Sequence, residues 1–187
     1  MRRLIILSLT VILVINSASL SAQSKSDERK QRKAERKAQA ELQEKVLFTL
    51  LDSAVANRNW VLEANRLQGK YGSTVNVSSS INFVAVEGEK AFIQLGSNSG
   101  MGNNGVGGIT IDGTVSTYKL TKDPKSGYTI KINVMSAIGI YDVLIRTNNT
   151  GLQSTAEVRS NRGGRVSYLG ELVPKQNSRV YKGRSVF

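Results

Sequence analysis

Histidine and cysteine are both absent from this chain of 187 residues, which also has only two prolines and a single tryptophan. Without His and Cys side chains, Ser-His-Asp and Cys-His hydrolysis are excluded, as are zinc sites with imidazole or thiolate ligands. The general base best matched to neutral pH is missing as well. Enzymes that use carboxylates or a Ser-Lys pair remain open, but no residue spacing favours them. The composition therefore predicts a protein that is not an enzyme and that uses no cofactor or metal.

The lack of cysteine also removes disulfide bonds and the lipobox residue that carries a bacterial lipid anchor. Arg2 and Arg3 precede an apolar run over residues 4–15, and a small, polar segment then ends at Ala22. This order predicts a secretory signal peptide over residues 1–22. The apolar run is shorter than the ~20 residues of a membrane-spanning helix, so no transmembrane segment is expected after cleavage. Because a secreted domain without disulfides suits a Gram-negative periplasm, we expect a periplasmic or secreted protein.

Residues 23–41 are predicted to form a charged helical arm. They are rich in Lys, Arg, Glu, Gln and Ala, and no glycine or proline interrupts them. Such an arm can bind an anionic surface, or it can be a solvated helix that leads into the domain. The helix then gains an apolar stripe, which is expected to pack on a single domain over residues 42–187. The stripe consists of Leu42, Val46, Leu47, Leu50, Leu51, Ala54 and Val55.

After Trp60 the apolar pattern changes to the alternation typical of β-strands. The predicted strands include a long one over residues 75–86 and its hairpin partner over residues 90–95. The apolar parity shifts between Val115 and Tyr118, as a β-bulge would produce. About eight strands follow one another with short turns, and strands connected in this way are antiparallel. The predicted fold is mainly β: an N-terminal helix followed by an antiparallel meander β-barrel.

Several strings of residues carry a family resemblance. They are Trp60-Val61-Leu62-Glu63-Ala64 with Arg66-Leu67, Ser78-Ser79-Ser80-Ile81-Asn82-Phe83-Val84, Gly105-Val106-Gly107-Gly108-Ile109-Thr110, and Gly163-Gly164-Arg165-Val166-Ser167-Tyr168 with Gly170 and Leu172-Val173-Pro174, followed by Ser178-Arg179-Val180 and Lys182-Gly183. Over residues 46–183 they resemble the domain-of-unknown-function family numbered 4251, found in secreted proteins of Bacteroides-type bacteria. The resemblance implies a signal peptide and a single small barrel that is lipocalin-like. It implies no known activity, so no functional residue is carried over.

A glycine-rich loop over residues 96–108 supplies the first candidate site. It contains the dinucleotide-binding pattern G-x-G-x-x-G, but a strand is predicted after it where that mechanism needs a helix. The loop is either a flexible connection or a lid at the mouth of the barrel. Ser78-Ser79-Ser80, inside the predicted strand over residues 75–86, either line a polar cavity or allow another element to approach closely. The candidate ligand or lid region consists of Gly100, Asn103, Asn104, Ser79 and Tyr118.

The basic C-terminal region supplies the second candidate site. Its candidate surface residues are Arg162, Arg165, Arg179 and Lys182. Basic residues interleaved with aromatic ones can bind single-stranded nucleic acid. The predicted secretion argues against that partner, so no nucleic acid is expected, and an anionic glycan, lipid headgroup or envelope surface fits better. The plain alternative is a solvated basic edge and tail.

Three functions follow from these patterns. The first is a non-enzymatic periplasmic barrel that binds a small apolar or amphipathic ligand, or another partner. The second is an envelope-associated structural protein that holds an anionic partner through its basic arm and tail. The third is a carboxylate-dependent hydrolase, which would need two of Asp112, Asp142 and Glu157 to meet in a cleft.

Overall fold

A long helix precedes the β-structure. The computed structural model describes residues 2–97, 104–123 and 126–185, with side-chain positions from Asp27 onward. Helix α1 spans Arg2–Ala56. The chain divides into two compact units, Met1–Lys45 and Val46–Phe187. In the first unit, every described side chain from Asp27 to Lys45 is exposed. Among the described residues, no helix is both long and apolar enough to cross a membrane.

The last turns of α1 supply an apolar face to the second unit. Leu51 and Val55 are buried, and Phe48 packs against the same core. In contrast, Val46 is 56% exposed, so the predicted stripe is wrong at this position. The buried face of the second unit follows the helical spacing from Phe48 to Leu51 and Val55.

Nine strands follow within the described residues. They are β1 (Asn59–Gly69), β2 (Thr74–Asn76), β3 (Phe83–Glu87), β4 (Lys90–Leu95), β5 (Ile109–Asp123), β6 (Gly127–Ser136), β7 (Gly139–Thr147), β8 (Ser154–Ser160) and β9 (Arg165–Pro174). All pairings are antiparallel, and β1 also pairs with β9, which closes the sheet. Short β2 lies beside β1 beyond the end of β3, so eight strand positions surround the described barrel. The predicted fold, one N-terminal helix followed by an antiparallel barrel, is confirmed.

The long strand predicted over residues 75–86 is wrong, because a turn at residues 77–82 separates β2 from β3. The side-chain amide of Asn82 donates to the carbonyls of Ser78 and Gly96 at 3.0 and 3.1 Å. Its Oδ1 accepts the Gly96 N–H at 2.9 Å. A short polar side chain thus binds backbone groups that a continuous strand would have paired with a neighbour.

Two irregularities bend the barrel wall. The register of β5 against β6 shifts between Val115 and Thr117, where the apolar parity predicted a bulge. The register of β1 against β9 shifts between Ala64 and Arg66, within the seam that closes the barrel. A bulge adds local twist and bends the strand that carries it, which helps a small sheet to curl onto itself.

The inside of the barrel is a packed apolar core. Ten of its described strand residues are 0% exposed: Trp60, Leu62, Ala64, Val84, Val86, Ala91, Ile130, Val134, Ile145 and Ala156. They form one cluster with Leu51 and Val55 of the helix. A void wide enough for water would leave its lining partly accessible, so the described core around these side chains is filled.

Candidate functional site

The outside of β1, β3 and β4 is covered by the chain itself. Residues 178–184, here called the C-terminal strap, follow a single 3₁₀ turn at Lys175–Asn177. Val180 of the strap packs against a second apolar cluster that contains Val61 and Phe83. This face of the barrel is therefore occupied and leaves little apolar surface for a ligand.

Buried polar side chains hold the strap in place. The amide of Gln94 donates to the Tyr181 carbonyl at 2.9 Å, and its Oε1 accepts the Gly183 N–H at 2.8 Å. The same Oε1 accepts the hydroxyl of Thr110 at 2.8 Å, and that hydroxyl in turn accepts the amide of Asn104 at 3.1 Å. The strap and the loop before β5 are thus joined by one hydrogen-bonded network.

Asn104, predicted as a lid residue, lies at the centre of this network and is 1% exposed. Its Oδ1 accepts the backbone N–H groups of Val106 and Gly108 at 3.1 and 2.9 Å. Its amide also donates to the Leu95 carbonyl at 3.2 Å. Every hydrogen-bonding direction of this side chain is used inside the protein, so its role in this structure is to shape the loop.

The remaining predicted lid residues lie in different places. Gly100 and Asn103 fall outside the described residues. Ser79 is half-buried in the turn between β2 and β3, while Tyr118 belongs to β5. A role for them in ligand binding stays a prediction.

Tyr118 joins the end of the helix to the barrel. Its hydroxyl donates to the Val55 carbonyl at 2.6 Å and accepts the indole N–H of Trp60 at 3.1 Å. The guanidinium of Arg58 lies 4.8 Å from the centre of its ring. Burial raises the pKa of Tyr118, and the Trp60 hydrogen bond and the Arg58 charge oppose that rise. The hydroxyl satisfies a helix-terminal carbonyl that has no partner within the helix.

We therefore expect Tyr118→Phe to lower the free energy of unfolding by about 1–3 kcal/mol, because it leaves the Trp60 N–H without a partner and leaves the Val55 carbonyl only the long contact from the Arg58 N–H at 3.4 Å. Tyr168→Phe is the matched control. Tyr168 is 1% exposed, and its hydroxyl makes no hydrogen bond with the described residues. Loss of this hydroxyl should change the free energy of unfolding by less than about 0.5 kcal/mol. Urea unfolding of both variants checks the difference, and equal losses would contradict it.

A second polar contact lies beside the first. The carboxylate of Asp52 accepts the ammonium of Lys122 at 2.6 Å and the hydroxyl of Tyr128 at 3.0 Å. The Lys122 hydrogen bond holds the pKa of Asp52 below its usual range, although burial acts in the opposite direction. Burial, followed by the Asp52 hydrogen bond, raises the pKa of Tyr128. Lys122 also lies 4.7 Å from the centre of the Phe48 ring. These titratable groups are engaged in docking the helix.

The four predicted basic surface residues lie in two separate elements. In the strap, the ammonium of Lys182 donates to Asp112 at 2.8 Å, and the backbone N–H of Arg179 donates to the carboxylate of Glu63 on β1 at 3.0 Å. Arg162 and Arg165 belong to the hairpin between β8 and β9. A role for these four residues as one basic surface stays a prediction.

An open groove of about 540 Å³ lies on the outside of β5, β6, β7 and β8. The strand registers place its outward side chains in two neighbouring rows. The first row consists of Lys119, Lys131, Leu144 and Glu157, and the second of Thr117, Asn133, Asp142 and Arg159. Four strands thus contribute to one continuous, mixed-charge surface.

Two cations face each other at one end of this groove. Lys119 lies directly opposite Lys131 across the β5–β6 pair, and both are exposed. Neither makes an ion pair within the described part of the chain. Like charges directly opposite each other in a sheet are destabilising. The pair therefore presents concentrated positive charge that an anion could neutralise.

The carboxylates of the groove already have partners. Asp142 accepts the amide of Asn133 at 2.8 Å. Glu157 is hydrogen-bonded by Arg159, and Arg165 lies 4.0 Å from the same oxygen. Of the three predicted strand carboxylates, Asp142 and Glu157 thus line one groove, where each is engaged by a neighbour. Asp112, the third, pairs with Lys182 of the strap. Among the described residues, no group of three or more acidic side chains is placed to hold a metal ion.

The lysine pair was missed by the sequence analysis, although a signal was present. The turn between β5 and β6 pairs Asp123 with Gly127, and counting back from it places Lys119 opposite Lys131. The apolar alternation of Ile130 and Ile132 puts the lysine between them on the outer face. Register and parity together would have predicted this pair.

Residues 42–172 match the model of the family described as Domain of unknown function (DUF4251). The chain belongs to this family. A crystal structure of a DUF4251 family protein from Bacteroides eggerthii DSM 20697, at 1.95 Å resolution, is similar in fold, with a TM-score of 0.61 and 29% sequence identity. The likeness covers 75% of this chain and 95% of that one. None of the curated proteins matches this chain.

Membership of the DUF4251 family confirms the resemblance seen in the sequence, and it assigns no activity. The matched span includes all the groove residues. It ends at Leu172, before the C-terminal strap. The function therefore has to be argued from the geometry of the groove.

Proposed function

We propose that this domain is a secreted, non-enzymatic binding module that holds an anionic partner in the groove on the outside of β5–β8. The observation that carries the proposal is that Lys119 and Lys131 lie directly opposite each other and that neither makes an ion pair with the residues the structure describes. An anionic group between the two ammonium groups would replace their repulsion with two attractive contacts. The half-buried Leu144 beside them suits the apolar part of an amphipathic ligand.

The proposal places the ligand outside the barrel, whereas a lipocalin-like protein would hold it inside. The packed core around Trp60 and Ile145 supports the outer position, because both side chains are fully buried by their neighbours. The strap covers another part of the outer surface. The groove on β5–β8 is an open concavity that combines charged side chains with apolar surface, which suits a small amphipathic ligand.

The predicted signal peptide and the absence of cysteine support a periplasmic or secreted location, where anionic envelope components are available as partners. An envelope-associated role for the basic arm is a second candidate. The observation that favours it is the exposure of every described side chain from Asp27 to Lys45, among them the basic cluster at residues 29–37. The strap contributes less to this role, because Lys182 is held by Asp112.

The test is a titration with hexylphosphonate, which has an anionic headgroup on a short alkyl chain. The backbone amide signals in NMR spectra monitor the binding. We expect saturable shifts in β5 and β6. In the double variant Lys119→Glu and Lys131→Glu, the affinity should fall by about tenfold or more. This variant keeps a like-charge pair, so the repulsion within the fold is preserved.

The matched control is the double variant Lys70→Glu and Lys90→Glu, which makes the same change in net charge at two exposed lysines outside the groove. It should bind hexylphosphonate as the unaltered protein does. An equal loss of affinity in both double variants would show a general charge effect and would contradict a site at the lysine pair.

A further inference from the structure

We infer that one face of the charged arm, formed by Arg29, Lys33 and Arg36, contacts the surface of an anionic phospholipid bilayer without entering its apolar interior. These three residues are here called the basic stripe. Their role rests on the second candidate function, an envelope-associated arm, and it adds the side chains that make the contact and the chemistry of the partner. The groove on β5–β8 takes no part in it.

The basic stripe follows from the helical spacing of its members. Arg29, Lys33 and Arg36 stand at positions i, i+4 and i+7 of α1, and residues with this spacing lie on one face of a helix. With about 100° of rotation per residue, they fall within an arc of roughly 60°. All three side chains are exposed. The arm thus presents three cations in one direction.

Two other cations of the arm have acidic partners. The ammonium of Lys30 lies 3.7 Å from the carboxylate of Asp27, and that of Lys37 lies 3.9 Å from the carboxylate of Glu41. No member of the basic stripe forms an ion pair within the part of the chain that the structure describes. Ion pairing inside the arm therefore uses cations that lie outside the stripe.

Arg32 lies beside the basic stripe, but acidic residues stand close to it. Glu28 is four residues before Arg32 and Glu35 is three residues after it, and side chains at these spacings are neighbours on a helix. Glu28 and Glu35 also adjoin Arg29 and Arg36 in the chain, but side chains one residue apart do not face each other. Around each member of the stripe, the positions three and four residues away hold only Lys, Arg or uncharged residues. The positive charge of the stripe is thus not neutralised by its helical neighbours.

The repulsion within the basic stripe indicates what kind of partner fits it. Like charges at these helical spacings destabilise a helix. A negatively charged surface would replace the repulsion with attraction, and each Lys or Arg close to an anionic membrane raises the affinity by about fivefold. Three such residues on one face give a helix a preferred side to turn toward that surface.

The uncharged residues of the arm argue against deep insertion. Between residues 27 and 41 they are only Gln and Ala, with no aromatic side chain and no large apolar one. A helix that inserts into a bilayer interface needs a broad apolar face, so the arm would stay at the level of the headgroups. Binding of single-stranded nucleic acid usually adds base stacking on aromatic side chains, which this segment does not contain. An anionic bilayer, which the predicted secretion brings within reach, is therefore the partner that fits.

The experiment measures sedimentation of the protein with vesicles of phosphatidylglycerol and phosphatidylcholine in equal parts, and with vesicles of phosphatidylcholine alone. The protein is used in its predicted secreted form, because the apolar run over residues 4–15 would itself enter a bilayer. We expect binding to the anionic vesicles only, and release in about 1 M salt, where the Debye length is about 3 Å. Binding that persists in high salt would show insertion and would overturn the inference.

An exchange of two residues tests the basic stripe at constant composition and net charge. The exchange is Lys33→Glu with Glu35→Lys. It places a carboxylate four residues after Arg29 and three residues before Arg36, where it faces both guanidinium groups. The affinity for anionic vesicles should fall by about tenfold or more, since the face loses two units of positive charge. Lys33→Gln alone, which hardly changes the helix propensity, should weaken binding by about fivefold.

The matched control is the exchange Glu44→Lys with Lys45→Glu, which reverses two exposed charges of the same helix away from the basic stripe. It should bind the anionic vesicles as the unaltered protein does. Equal affinities of the unaltered protein and both exchange variants would overturn the inference, as would an equal loss in both exchange variants. Circular dichroism of each variant measures whether the helix is retained.

The same assay separates this contact from both proposed functions. If the double variant Lys119→Glu and Lys131→Glu loses vesicle binding and the exchange of Lys33 with Glu35 does not, the groove holds the lipid and the basic stripe is wrong. If the protein binds the linear polyanion dextran sulfate but no vesicles, the partner is a charged polymer and the bilayer contact is wrong, while the second candidate function stands. If it binds neither, the second candidate function fails as well, and the hexylphosphonate titration still decides the groove.

Discussion

Replacing Gly170 with alanine is expected to lower the free energy of unfolding by about 3 kcal/mol, because the added methyl group has no space. An ideal Cβ at this position would lie 1.9 Å from the carbonyl oxygen of Glu63 and 2.8 Å from the Cα of Ala64. Both are backbone atoms of β1, so no side-chain rotation relieves the overlap. Gly170 pairs with Ala64 next to the bulge in the β1–β9 seam. The substitution would force apart the strands that close the barrel.

Gly69→Ala is the matched control for this prediction. Gly69 belongs to the same seam, where it pairs with Val166. A Cβ there would meet only Ser73, with its hydroxyl at 3.2 Å and its carbonyl at 3.9 Å. Because alanine loses less backbone entropy than glycine on folding, Gly69→Ala should be neutral or slightly stabilising. Thermal and urea unfolding measure both variants, and equal stability of the two would show that the β1–β9 contact can relax.

Asn104→Ala should lower the free energy of unfolding by about 3 kcal/mol, because it removes several buried hydrogen bonds at once. The N–H groups of Val106 and Gly108 would lose their acceptor, and the Leu95 carbonyl would lose a donor. The hydroxyl of Thr110 would also lose the donor that links it to the strap network. Little of this can be replaced by water, since Asn104 is buried.

The change at Asn104 should also loosen the C-terminal strap, because the side chain holds the loop in shape, and this loop places the Asn104 backbone carbonyl that accepts the N–H of Arg184 at 2.9 Å. Limited trypsin digestion, followed by mass spectrometry, should show faster cleavage after Lys182 and Arg184 in Asn104→Ala than in the unaltered protein. Asn177→Ala is the control, since Asn177 is exposed in the 3₁₀ turn before the strap. If both variants match the unaltered protein in stability and cleavage, the network does not anchor the strap.

Most of the barrel could be predicted from the sequence, because a half-buried strand shows its alternation locally. The alternation of Tyr128, Ile130, Ile132 and Val134 predicted β6, and the parity shift after Val115 located the bulge. The failure over residues 75–86 has a physical reason. The apolar alternation continues on both sides of the turn, and the break depends on Asn82, whose partners lie at Ser78 and Gly96.

The candidate groove could be predicted only in part. The lysine pair follows from a single hairpin, so local register and parity contain that information. The rest of the groove also needs the registers of β6 with β7 and of β7 with β8, which depend on packing of the whole barrel. The strap had no periodic signal at all. It is held by Gln94 and Asn104, and only Asn104 was singled out in the sequence, where its polar character favoured a ligand site over a structural role.

The seam between β1 and β9 has a consequence for how the chain folds. Its partners, such as Trp60 and Pro174, are separated by on the order of 100 residues, so the loop-closure entropy is large and the contact forms late. Until β9 arrives, one edge of β1 has no neighbour, and unpaired edges invite association with other chains. Because translation begins at the N-terminus, the growing chain stays prone to aggregation until β9 has been synthesised. The exposed edge of β1 is protected only when β9 pairs with it.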